Sequence, residues 1–140
     1  MSKTFSPAPD YVIISEGIND HSQSGASVTA AVTSWIASAR SAFGPAAKIF
    51  IVINIAEIQS AAIKAGVAAA ADPLTYVIDP GPEFEYSVFG GPSGTTCTPA
   101  TWASPDGCHL DAIHHQIYSA FVSAGIQQVL SSRGASAYVQ

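Results

Sequence analysis

Apolar residues recur along the chain with two different periods, and the changes between them mark out six elements. Val12, Ile13 and Ile14 form a short β-branched run of the kind a strand shows when both of its faces are covered. Pro9 can begin such a strand but not sit inside it. Val28, Ala31, Val32, Trp35, Ile36, Ala39 and Phe43 then recur at helical spacing and predict an amphipathic helix lying on a sheet, stopped by Gly44 and Pro45. Lys48 to Asn54 reads as a second buried strand. The alanine-rich stretch from Glu57 to Ala71 reads as a helix interrupted by Gly66 and ended by Pro73. Leu74 to Ile78 reads as a third strand.

From Asp79 to about Trp102 the pattern is broken by Gly90, Gly91, Pro92, Gly94 and Pro99, which predicts a long loop. Loops of that length in compact domains are usually functional or mobile. A last helix starts near Leu110, with Ile113, Ile117, Phe121 and Ala124 on one face. The order β-α-β-α-β-loop-α implies an α/β fold in three layers around a parallel sheet. The 140 residues make one domain's worth of chain, with no internal repeat and no linker.

Composition narrows the classes of partner. Apolar residues are 48% of the chain and charged residues 11%, enough for a sizeable core and too apolar for disorder. The net charge is −5, with no lysine or arginine cluster, which argues against nucleic acid and anionic membrane surfaces. No apolar run has the length of a membrane span. The residues before Pro9 contain no apolar core of a signal peptide, and the compartment stays open. Cys97 and Cys108 lie in one Gly/Pro/Thr-rich segment. They are either a bridge closing a short loop beside His109, stabilising by about 3 kcal/mol, or two free thiols.

The candidate chemistry begins where the first strand ends. Gly17 lets the backbone turn sharply, and Asn19 and Asp20 follow at the strand's carboxyl end, where open α/β sheets bind ligands. A side-chain amide beside an exposed backbone N–H is what an oxyanion hole needs. Far downstream, Asp106 and His109 stand three residues apart in a Pro/Gly turn, a spacing that lets a carboxylate reach a histidine ring. Read without the upstream segment, the same residues are a helix start, with Asp111 in its first turn.

Together these two pieces resemble the SGNH (GDSL-type) esterase and lipase superfamily. Pro-Asp-Tyr-Val-Ile-Ile-Ser-Glu-Gly-Ile-Asn-Asp, from Pro9 to Asp20, is similar to its third block. Ser-Pro-Asp-Gly-Cys-His-Leu, from Ser104 to Leu110, is similar to its last. The resemblance implies a flavodoxin-like SGNH fold and a serine acyl-enzyme route on carboxylic esters, with acetyl, glycan or lipid esters all in range and no metal or organic cofactor. It gives His109 the role of general base and Asp106 that of its orienting carboxylate. Asn19 and Gly17 become oxyanion donors and Asp20 a brace for the turn. Trp102 stands where it could line a substrate pocket, as do Tyr86 and Phe89.

The chain departs from the family in its first two blocks. The nucleophilic serine and the second-block glycine belong upstream of Pro9, and only eight residues precede it. The fold is therefore expected to lack the family's first two strands, with Tyr11 to Ser15 an exposed apolar edge open to self-association. Ser22 and Ser24 lie on the correct side of the sheet, but Ser-Gln-Ser-Gly is no nucleophile elbow and suits a helix cap better. The alternative is a non-catalytic remnant or ligand-binding module of the same fold. His114, His115 and Tyr118 fit no zinc spacing together with Cys97, Cys108 and His109, and the run from Gly90 to Gly94 lacks the lysine of a phosphate loop.

Overall fold

The computed structural model describes residues 5–54, 58–79 and 110–132. Strand β1 (Tyr11–Ser15) is followed by helix α1 (Gly25–Phe43), strand β2 (Lys48–Val52), helix α2 (Ser60–Ala70), strand β3 (Thr75–Ile78) and helix α3 (Ala112–Ser131). The three strands form one parallel sheet in the order β1-β2-β3. The fold is thus α/β, as the alternation of periods predicts.

Alternation within each strand sorts the helices onto two faces. Ile49, Ile51 and Val77 point to one face, where they pack with Val28, Ile36 and Ala39 of α1 and Ile63 and Val67 of α2. Phe50, Val52 and Ile78 point to the other and pack with Val129, Tyr118, Val122 and Ile126 of α3. Both crossover helices share a face, as a sheet that adds parallel strands in one direction with right-handed crossovers requires. Three layers result, with β2 in the middle. Ile49, Phe50 and Ile53 are completely buried.

Each helix begins where local chemistry lets it. Ser24 caps α1, its hydroxyl accepting from Ser27 N–H at 3.1 Å. The second helix starts at Ser60 rather than at Glu57. Asn54 holds the segment before it by donating to Ile58 C=O (2.8 Å) and accepting from Ile58 N–H (3.2 Å), and Gln59 then takes a left-handed conformation, φ 60°. Glu57 itself lies outside the described residues.

The last helix buries a different face from the one its apolar spacing suggests. Ile113 is 65% exposed and Phe121 46%, with Ile117 and Ala124 also exposed. Gly125 and Val129 are the buried positions, flanked by Tyr118, Val122 and Ile126. The helix is apolar on more than one side, and Gly125 decides between them. A Cβ there would stand 3.0 Å from the Ile78 Cγ2, so this is the side that can approach β3.

The two ends of the sheet differ. At the amino end Arg40 clamps two connections, α1–β2 and α2–β3: it donates to Asp72 from Nε (3.0 Å) and Nη2 (2.7 Å), to Gly44 C=O (3.0 Å) and to Ala47 C=O (2.6 Å). Asp72 also accepts from Leu74 N–H and the Thr75 hydroxyl. The carboxyl end carries the turn that holds Gly17, Asn19 and Asp20. No described helix is long and apolar enough to cross a membrane.

Candidate functional site at the carboxyl end of the sheet

Strand β1 ends at Ser15, and two residues later Gly17 takes φ 96°. A Cβ at that position would stand 3.0 Å from the Ile63 Cδ1 and 3.6 Å from the Asn54 Nδ2, so both backbone angle and space call for glycine. The turn closes when Asp20 N–H donates to Gly17 C=O at 3.0 Å. It is pinned from the start of α2, where Gln59 Nε2 donates to Asp20 C=O (3.0 Å) and Gln23 C=O (2.9 Å). Asn19 sits on this turn with its side chain exposed. Gly17, Asn19 and Asp20 are therefore together at the carboxyl end of a parallel sheet. Asp20 braces the turn through its backbone, and Gln59 is a bracing residue that periodicity could not reveal.

A second group comes from α3. Asp111 caps the helix, its Oδ1 accepting from His114 N–H at 2.8 Å, and the same oxygen lies 2.7 Å from the His114 Nδ1. The backbone N–H of His114 is the largest influence holding the Asp111 carboxyl below the usual carboxylate range. The imidazole adds to it, against a smaller opposing effect of burial. An ionised carboxylate only accepts, so the proton of this contact is on Nδ1. In a neutral ring that tautomer puts the lone pair on Nε2, the arrangement a general base uses. The ring is held firmly, with its side chain 13% exposed. The sequence does contain the signal, Asp-Ala-Ile-His from Asp111 to His114, an Asp-x-x-His five residues after the first.

One turn further on, the Tyr118 hydroxyl donates to Ile53 C=O at 2.7 Å, anchoring α3 to the end of β2. Lys64 and Asp79 form an ion pair that ties α2 to the end of β3. The first turns of α3 thus lie at the same end of the sheet as the Gly17–Asp20 turn. Asp106, His109, Trp102, Tyr86, Phe89, Cys97 and Cys108 lie outside the described residues.

Beside the turn, a groove of about 430 Å³ opens between β1 and α1. Ile14, Val28, Val32, Trp35, Ile51 and Ile63 supply its apolar walls, and Glu16, Asp20, Gln23 and Ser27 stand on its lining as polar groups. Among the described serines, Ser24 is engaged as the α1 cap, and its hydroxyl also lies 2.8 Å from that of Ser27. It is a capping residue. No group of three or more His, Cys, Asp or Glu among the described residues is placed to hold a metal ion.

Comparison with protein-family models, with curated proteins and with solved structures finds no match for this chain.

Proposed function

We propose that this chain supplies the oxyanion and histidine side of an SGNH-type ester hydrolase site, acting on carboxylic esters such as acetyl or lipid esters. The observation that carries the reading is the Gly17–Asp20 turn. A left-handed glycine ends a parallel strand, a backbone hydrogen bond closes the turn, and a side-chain amide is left exposed at the sheet's carboxyl end. In this role Asn19 donates its Nδ2–H to the developing oxyanion and Gly17 its backbone N–H. His109 takes the proton of the nucleophile and Asp106 orients it, roles that come from the family resemblance and from no described geometry. Asp20 holds the turn. The chemistry requires no metal and no organic cofactor.

The acyl-enzyme route requires a serine in reach of His109, and the reading assigns it to polypeptide outside residues 1–140. Water activated by the histidine is the slower route, about 10⁴ to 10⁶-fold below a complete triad. The groove beside Gly17 favours a second reading, a module of this fold that binds an ester-like ligand without turnover.

Hydrolysis of p-nitrophenyl acetate by the whole chain, beside His109→Ala and Asp106→Asn, tests the first reading. Turnover lost in both variants is expected. Wild-type turnover no greater than that of the variants contradicts catalysis. Saturable binding of a non-hydrolysable phosphonate analogue under those conditions would then favour the binding module.

A further inference from the structure

The outer edge of β1 presents a set of backbone hydrogen-bonding groups that no other strand among the described residues uses. Lys48 N–H donates to Asp10 C=O at 3.0 Å. Successive residues of a strand point their N–H and C=O to opposite sides, so those of Tyr11, Ile13 and Ser15 point away from β2. No strand among the described residues takes them. Edges left to water usually carry a charge, a bulge or a proline. Tyr11–Ser15 has none of these, and it is apolar on both faces. Val12 and Ile14 pack toward α1, while Tyr11 and Ile13 are 51% and 58% exposed on the other side. On the α1 side this edge opens directly into the groove lined by Ile14, Val28, Val32 and Trp35.

Charge decides what fits there. Asp10 and Glu16 flank the strand, and Asp20 joins Glu16 on the groove. A second copy pairing antiparallel about Ile13, the register that uses all five residues, sets Asp10 opposite Glu16 at both ends. Like charges placed opposite each other destabilise a strand pair. The Lys48 ammonium lies 5.8 Å over the Tyr11 ring, on the face away from the groove. Both ends therefore favour a partner with cations where a second copy has carboxylates.

We propose that the β1–α1 groove binds an extended peptide that adds a strand to the β1 edge, inserts alternate apolar side chains between Val28, Val32 and Trp35, and carries lysine or arginine opposite Asp10 and Glu16. Main-chain bonds to Tyr11, Ile13 and Ser15 supply affinity, and the groove selects the side chains at every second position. The inference does not rest on the ester-hydrolase reading.

Fluorescence anisotropy of the labelled peptide Lys-Thr-Val-Thr-Val-Thr-Lys, whose valines share the groove-facing side with its lysines, with the whole chain tests it, beside the same peptide with glutamate ends. The lysine peptide is expected to bind with a Kd in about the micromolar range. The glutamate peptide should bind at least about tenfold more weakly, and added salt should shrink the difference. Two variants block the site without touching the core. Ala31→Trp fills the groove from an exposed helix position, and Ile13→Pro removes an outward N–H where an edge strand tolerates proline. Each should weaken binding more than about tenfold while leaving the circular dichroism spectrum intact. Equal affinity for the two peptides, or full affinity in both folded variants, overturns the proposal. So does a dimer in sedimentation that Ile13→Pro dissolves while the lysine peptide fails to bind, an outcome that assigns the edge to a second copy.

Discussion

A methyl group on Gly66 would stand 2.7 Å from the Val32 Cβ and 2.9 Å from the Thr29 carbonyl oxygen. Helices α1 and α2 meet at this point, and neighbouring hydroxyls fasten them. Thr29 Oγ1 donates to Ala62 C=O at 3.1 Å, and Thr33 Oγ1 donates to Gly66 C=O at the same distance. Both the backbone oxygen and the β-branched Val32 are stiff, so neither moves aside cheaply.

Gly66→Ala therefore sets two effects against each other. Alanine favours a helix by about 1 kcal/mol over glycine, while overpacking a close contact costs about 1–3 kcal/mol. The clash lies with backbone and with a stiff side chain, so a net loss of about 1–2 kcal/mol is expected in urea unfolding. A more stable variant would show that the helices are not this close.

The same glycine shows what the sequence could and could not convey. In the periodic pattern Gly66 looks like a weakness in α2, because pattern carries no record of the neighbouring helix. The strands were legible from their β-branched runs: Ile49–Ile53 is apolar without interruption and is covered on both faces as such a run implies, whereas Val12–Ile14 marks a strand correctly but leaves Ile13 58% exposed on one face. The α1 stripe was legible for the opposite reason, its polar side being clean. The inward face of α3 was not, because Ile113, Ile117 and Phe121 make as good a stripe as Tyr118, Val122 and Val129, and only the fit of Gly125 against Ile78 chooses. The start of α2 depends on bonds between Asn54 and Ile58, which leave no periodic trace. At the site, Gly17, Asn19 and Asp20 were legible as a turn motif. The Asp111–His114 pair was overshadowed by the Asp-x-x-His before it.

The Arg40–Asp72 pair should hold the amino end of the sheet in a pH-dependent way. Burial pushes the Asp72 carboxyl up, but the Leu74 N–H, the Arg40 guanidinium and the Thr75 hydroxyl together outweigh it and leave the pKa below the ordinary value. A depressed carboxyl contributes its stability above the unfolded-state pKa and loses it as pH falls through the folded-state value. Asp72→Asn is expected to cost about 2–3 kcal/mol at neutral pH, a hydrogen-bonded charge being removed beside a guanidinium that is then left short of a partner. The deficit should shrink as pH drops below the ordinary carboxylate range. A pH-independent deficit in urea unfolding would contradict this.

Asp111 combines two functions that substitution can separate. Asparagine is a good helix cap and alanine is a poor one, but neither offers His114 a charge. Asp111→Ala should lower the melting temperature, while Asp111→Asn should melt close to the wild type. Nitrogen NMR should show the His114 ring with its proton on Nδ1 in the wild type and a mixture of tautomers in Asp111→Asn. A wild-type ring protonated on Nε2 would contradict the assigned geometry.

The most direct measurement concerns Asn19. It compares kcat and KM for p-nitrophenyl acetate between the wild-type chain and Asn19→Ala, whose exposed side chain can be removed without disturbing the core. An amide that binds charge only as it develops should leave KM nearly unchanged and lower kcat about 10² to 10³-fold. A kcat unchanged in Asn19→Ala would contradict an oxyanion site at the carboxyl end of β1.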